Sequence, residues 1–255
     1  MDRRAQHIRV VTYNIHKGFS PIKRAFVLEG MRRAIHDLGC DLAFLQEVVG
    51  CHRRHERKVR GWSQQPQAEY LAGDGGWPFV VYHKNRVHRH GHHGNAILSR
   101  APVLHSDYLN ISTNRFERRG LIHSVLAWPD PGRRLHAICV HLDLLEGGRR
   151  KQVARIIDLI REHVPEHEPL IVAGDFNDWR KSISPVLRAE AGLTEVFEHA
   201  TGDHARTFPG ALPILPLDRI YVRGLQVHRA ETHHHGKHWG RLSDHAPLAA
   251  TLGLR

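Results

Sequence analysis

Short apolar runs recur along the chain, and most carry a polar residue near one end. In Ile8-Arg9-Val10-Val11-Thr12-Tyr13-Asn14-Ile15 the β-branched content suits a buried strand, with Asn14 close to its C-terminal end. His16-Lys17-Gly18 reads as a turn. Over residues 25–38 the apolar positions are Val27, Leu28, Met31, Ala34, Ile35 and Leu38, the spacing of an amphipathic helix, with Gly39 placed as its cap. Asp41 to Val48 is a second apolar strand, again with a carboxylate, Glu47, near its end. The polar, basic run 50–66 predicts an exposed loop, a solvated charged insertion. Strands are expected at 79–83 and 95–99, flanking a His-rich turn from His88 to Gly94, and Pro102 closes the second of them.

The second half repeats the pattern. Leu121–Trp128 and Leu135–His141 pair as a hairpin across Pro129-Asp130-Pro131-Gly132, which delivers His141 to a strand end. Residues 148–164 make the clearest helix, with Val153, Ile156, Ile157, Ile160 and Val164 in one stripe. Leu170 to Gly174 is a buried strand, and Asp175 and Asn177 follow it two positions apart. Such positions share a face, so a carboxylate and a carboxamide would lie side by side where open α/β sheets usually bind ligands. Residues 182–191 are a further helix, and 203–217 a loop with three prolines. A strand begins at Asp218; the tract His233 to His238, then Ser243-Asp244-His245, precede a last strand at 247–252. No internal repeat or linker interrupts the series, so one domain spanning 1–255 is expected.

Composition narrows the class. The chain is 41% hydrophobic and 25% charged, ordinary for a globular protein. No apolar run approaches the roughly 18 residues needed to cross a bilayer, and the charged start, Met1 to His7, has no signal-peptide core. Cys40, Cys51 and Cys139 have neither zinc-like nor disulfide-framework spacing, so a reduced, cytoplasmic protein is the expectation. The formal charge of +11, with 24 histidines that add to it as pH falls, attracts polyanions: nucleic acid, an anionic membrane or a phosphorylated substrate. Charge alone does not choose among these.

The polar strand-end residues are individually weak signals, because turns commonly use such groups. Their order is more specific. Thr12-Tyr13-Asn14-Ile15, Gln46-Glu47, Val140-His141-Leu142, Gly174-Asp175-Phe176-Asn177, Leu217-Asp218-Arg219-Ile220 and Ser243-Asp244-His245 together resemble the endonuclease/exonuclease/phosphatase superfamily, which includes deoxyribonuclease-I-like enzymes. The resemblance runs from about residue 8 to residue 252, in the form of a single-domain bacterial branch. It implies a four-layer α/β sandwich, two mixed sheets packed face to face with helices outside. It also implies a divalent cation, magnesium or manganese, held by Glu47 and Asn14, with Asp244 reaching it directly or through water. By the same resemblance Asp175 orients or deprotonates the attacking water and Asn177 donates to the phosphate. His245, a cation held by Asp218, and His141 both face the phosphate.

Some features depart from the pattern or leave it open. Abasic-site endonucleases carry an acidic residue two positions after the Asn14 equivalent, where this chain has His16. The acidic partner of His141 is not evident; Glu117 is one candidate, and Arg119 beside it is a candidate phosphate contact. Asn95 and His93 are further candidates for the substrate side. The tracts around His90, His92 and His93 and around His233, His234, His235 and His238 admit two roles, lining a phosphate-binding mouth or holding a transition metal. The expected activity is metal-dependent hydrolysis of a phosphodiester, in nucleic acid or a phospholipid headgroup, with peripheral contact to anionic membrane. The competing class is a non-catalytic polyanion- or membrane-binding module on the same fold. A monomer without a stable protein partner is expected.

Overall fold

Two strand–helix–strand crossovers build the molecule, described in a computed structural model for residues 7–22, 25–73, 76–234 and 239–254. In the first, β1 (His7–Asn14) passes through α1 (Leu28–Asp37) to β2 (Leu42–His52), and the two strands are parallel. In the second, β7 (Arg134–His141) passes through α4 (Glu146–His163) to β8 (Leu170–Asp175), again in parallel. Parallel neighbours need such a crossover, and the helix then covers one face of the sheet.

Each pair is the centre of a six-stranded mixed sheet. The first sheet adds β3 (Phe79–His88), β4 (Gly91–Ser99), β11 (Leu225–Thr232) and β12 (Leu248–Leu254), in the order β11-β12-β1-β2-β4-β3. The second adds β5 (Val103–Asn110), β6 (Gly120–Ala127), β9 (Thr194–Glu195) and β10 (Asp218–Arg223), in the order β5-β6-β7-β8-β10-β9.

Alternation decides which residues meet. Val10, Phe44, Ile97, Ile122, Ala137, Ile171 and Ala250 point into a core between the sheets. Their neighbours Val11, Ala43 and Leu45 face outward to Leu28, Met31 and Ile35 of α1 and Leu71 of α3 (Gln67–Ala72). On the other side Ile138, Val140 and Val172 face Val153, Ile156 and Ile160 of α4 and Leu187 of α5 (Ile183–Ala191). The central strands are therefore apolar on both faces, and the architecture is the four-layer α/β sandwich.

Several local expectations change. The His-rich segment 88–94 is not a turn: β3 continues to His88, β4 begins at Gly91, and only Arg89 and His90 turn between them. The charged stretch after residue 50 is not a plain loop, because β2 continues to His52 and α2 (Arg53–Lys58) follows. Both were obscured by the same physics: these extensions are half-exposed, so their side chains carry no apolar periodicity. The edge strands β5 and β11 escaped the apolar pattern for that reason too. Remaining short helices are α6 (Val196–Thr201) and α7 (Trp239–Leu242). Of the second histidine tract, His235 and His238 lie outside the described residues, as do Met1 to Gln6. Among the described residues no helix is long and apolar enough to cross a membrane.

Candidate active site

The ends of β1, β7 and β8 and the start of β10 converge. Asp175 is the hub. It closes β8, opposite Asp218 in the antiparallel ladder with β10 and opposite His141 in the parallel ladder with β7. Gly174 makes this approach feasible: its φ is +152°, and a Cβ there would lie 2.0 Å from the carbonyl oxygen of Val140.

Asp175 Oδ2 accepts from Asn14 Nδ2 at 3.0 Å and lies 3.4 Å from His141 Nε2 and 3.7 Å from His245 Nε2. Its other oxygen accepts from the Asn177 backbone N–H at 3.0 Å. His245 Nδ1 donates to Asp218 Oδ2 at 2.7 Å. All of these residues are buried.

Burial and neighbouring charge set their protonation. Burial disfavours the His245 cation, but Asp218 and Asp175 outweigh it and push the ring up to about 10. His141 sits well below the ordinary imidazole range, through burial first and then the nearby Arg119 and His245 charges. Burial raises the Asp175 carboxyl, with Asp218 adding to the rise and His245 opposing it. The site thus places a carboxylate between one cationic and one neutral imidazole.

Glu47 leaves the alternation of its strand through a β-bulge. Leu45 pairs with Ala96 and Val48 with Gly94, so Gln46 and Glu47 stand opposite Asn95 alone, and Glu47 takes a φ of +58°. A bulge re-aims one side chain without ending the strand. Lys17 Nζ lies 2.8 Å from Glu47 Oε2. Burial would raise the Glu47 carboxyl, yet Lys17, with His16 and His93, holds it below the usual range.

The other expected contacts divide. Asn95 is fully buried; its Nδ2 donates to Gly120 O at 3.0 Å and its Oδ1 accepts from Asn85 Nδ2 at 3.2 Å, so both ends fasten β4 to its surroundings. Asn177 Nδ2 donates to Leu142 O at 2.9 Å, and the residue turns the chain with a φ of +51°. Glu117 is the partner of Arg119, at 2.5 Å, rather than of His141. Arg119 in turn places Nε 3.8 Å from Asp143 Oδ1. Asp244 is half-buried and accepts from Ser243 Oγ at 3.3 Å. His93 stands beside Lys17 and Glu47, and burial, with Lys17, lowers it to about 4. His92 Nδ1 bonds the Tyr82 hydroxyl at 2.9 Å, and the His233 ring packs 5.9 Å from Trp239.

Sequence reasoning passed over Lys17, Ser243 and Asp143. Ser243 Oγ donates to Asn14 O at 2.6 Å, tying the last loop to β1. Asp143 is buried, accepts from Thr113 Oγ1, and donates its backbone N–H to Gln152 Oε1 at 2.8 Å. Its one sequence signal is its place two residues after His141.

Among the described residues one group of three potential metal ligands lies within 4.8 Å, namely Asp175, Asp218 and His245. A metal needs neutral imidazole, whereas His245 is held as a cation with Nδ1 committed to Asp218. The oxygens better suited to a hard divalent cation are those of the ionised Glu47 carboxylate, whose Oε2 already draws the Lys17 ammonium, and Asn14 Oδ1, which accepts from His16 N at 3.1 Å. Asp218 Oδ1, a buried carboxylate oxygen without a hydrogen-bond partner, adds to the negative field.

Residues 11–245 match the sequence profile of the Endonuclease/Exonuclease/phosphatase family, and the chain belongs to that family. It is 42% identical over 246 residues, 96% of each chain, to the Escherichia coli K12 protein named "Uncharacterized protein YbhP". Among solved structures, the endonuclease/exonuclease/phosphatase from Bacteroides vulgatus superposes with a TM-score of 0.73 at 20% identity, over 98% of this chain and 99% of that one. D. rerio TDP2 complexed with single strand DNA product gives a TM-score of 0.69 at 19% identity, over 97% and 99%. These two show the shared fold. Members of the family are hydrolases of phosphoester bonds and generally depend on a divalent metal.

Proposed function

We propose that the protein is a divalent-metal-dependent phosphodiesterase. The observation that carries this reading is the buried His245 ring, held at 2.7 Å by Asp218 and facing Asp175 Oδ2 at 3.7 Å, where the two carboxylates favour its cationic form. A buried cation beside a buried base suits a reaction in which negative charge on phosphoryl oxygens must be met while water is deprotonated. Glu47 and Asn14 would hold magnesium or manganese, which supplies charge neutralisation on the phosphoryl oxygens when bound.

The chain's own groups account for the rest. Asp175, its carboxyl raised toward neutrality, takes the proton of the attacking water, while Asn14 Nδ2 fixes the orientation of Oδ2. The new P–O bond forms as the ester P–O bond breaks. The proton then held at Asp175, within reach of both imidazoles, is available to the departing oxygen. Arg119, steadied by Glu117 and near enough to bear on His141, would supply a further positive charge to the phosphate.

The test is hydrolysis of bis-p-nitrophenyl phosphate with EDTA, Mg²⁺ or Mn²⁺, for the wild type and for Glu47→Gln. Metal-dependent turnover that the substitution abolishes, with polyanion binding retained, supports the enzyme. Absence of turnover, with no metal-induced rise in melting temperature, favours a non-catalytic binding module instead.

A further inference from the structure

Of the eleven exposed large apolar side chains among the described residues, six stand on loops that connect to this site. Phe116 lies between β5 and β6, Leu144 and Leu145 between β7 and α4, Trp179 between β8 and α5, and Leu212 and Ile214 in the loop before β10. Leu145, Phe116 and Leu212 are 72%, 74% and 75% exposed. The loops touch one another. Leu144 N donates to Glu117 Oε2 at 3.5 Å, and the Arg149 guanidinium donates to Leu144 O while lying 4.7 Å over the Trp179 ring. The loop of Leu212 meets the site through the Phe208 ring, 5.2 Å from that of His245, and through Gly210 N, which donates to Asp244 O at 2.6 Å.

Apart from Asp244, which the site itself holds beside Ser243, the charge left over at the surface of this rim is positive. Glu117, Glu146 and Asp203 are each neutralised, by Arg119, by Arg150 and Arg180, and by Lys181. Arg115, Arg118 and Arg206 are exposed, and among the described residues none of them pairs with a carboxylate.

Scattered apolar side chains on a surface need no explanation, but six of them on loops that meet one another and the site do. Four of the six are leucine or isoleucine, with no π face on which a nucleic-acid base could stack, and of the two aromatics the Trp179 ring already carries the Arg149 guanidinium. Leucine and isoleucine enter acyl chains readily, tryptophan settles at headgroup depth, and arginine meets anionic lipid phosphates. We infer that the rim is a membrane-binding face that seats the site on an anionic phospholipid bilayer, so that the ester it takes is the phosphodiester of a lipid headgroup. The substrate half of this inference rests on the phosphodiesterase reading; the binding half does not.

The test is co-sedimentation of the full chain with vesicles of phosphatidylcholine alone or mixed with phosphatidylglycerol. The wild type is compared with a variant carrying Phe116→Ser, Leu145→Ser and Leu212→Ser, whose fold is checked by circular dichroism. The expected result is binding to the mixed vesicles, weakened about tenfold or more in the variant, with phosphatidylglycerol hydrolysis lost while bis-p-nitrophenyl phosphate is still cleaved. Vesicle binding absent in the wild type, or unchanged in the variant, overturns the inference. So does binding of a single-stranded oligonucleotide that the triple substitution weakens while vesicles are ignored. A wild type that binds vesicles yet hydrolyses neither ester keeps the membrane face and removes the phosphodiesterase reading.

Discussion

Replacing Asp218 by Asn removes the foremost of the three anions, Asp218, Asp175 and Asp244, that keep His245 protonated, and does so almost isosterically. Asn Oδ1 still accepts from Nδ1, so the ring stays oriented. The contact removed is the closer one, 2.7 Å against 3.7 Å for Asp175. An opposite charge at this range is worth about one to three pH units. Titration of His245 should therefore move from about 10 in the wild type to between about 7 and 9 in the variant. Taking about 8, the ring is about one-tenth protonated at pH 9, against about nine-tenths in the wild type. The assay is kcat/KM for bis-p-nitrophenyl phosphate across pH 6–10, with products separated by chromatography so that nitrophenol colour does not distort the profile. The variant should lose about tenfold at pH 9 and little at pH 6, its alkaline limb moving to lower pH. An equal loss at both ends, or an unmoved alkaline limb, would refute the role of His245 as a cation sustained by Asp218.

Other expectations follow from burial. Glu195 caps α6 by accepting from Glu198 N at 2.7 Å, and burial raises its carboxyl to about 7. A raised carboxyl contributes stability in full below its unfolded value of 4.5, and that contribution is lost as pH rises through about 7. The loss is on the order of 3 kcal/mol. Glu195→Gln should flatten the fall in melting temperature between pH 5 and pH 8, and an unaltered fall would count against it. Gly174→Ala places a Cβ 2.0 Å from Val140 O at a φ of +152°. A loss of about 3 kcal/mol or more is expected in urea unfolding, and less than about 1 kcal/mol would mean that the β7–β8 contact yields easily. Burial pushes the Cys40 and Cys139 thiols up to about 12, whereas Cys51 is partly exposed. Iodoacetamide at pH 8 should label Cys51 first, and equal labelling of Cys139 would show that the inter-sheet core opens.

The central strands, the two crossover helices and the order of Asn14, Glu47, His141, Asp175, Asn177, Asp218 and Asp244-His245 can be read along the chain before any contact is known. These are legible because strand and helix periodicity are local, and because strands buried on both faces are uniformly apolar. Tertiary structure decided what each polar group does. Asn95 and Glu117 look like site residues in the chain, yet the fold commits them to Gly120, Asn85 and Arg119. Glu47 leaves the alternation of its strand because a bulge against Asn95 turns it, and Lys17 meets it from a turn with no motif of its own. The opposite protonation of His141 and His245 depends on distances to Asp175, Asp218 and Arg119, contributed by other strands and loops. The apolar rim likewise exists only once four separated loops are brought to one end of the sandwich. Periodicity reports a residue's own strand or helix; charge and exposure depend on what the rest of the chain brings beside it.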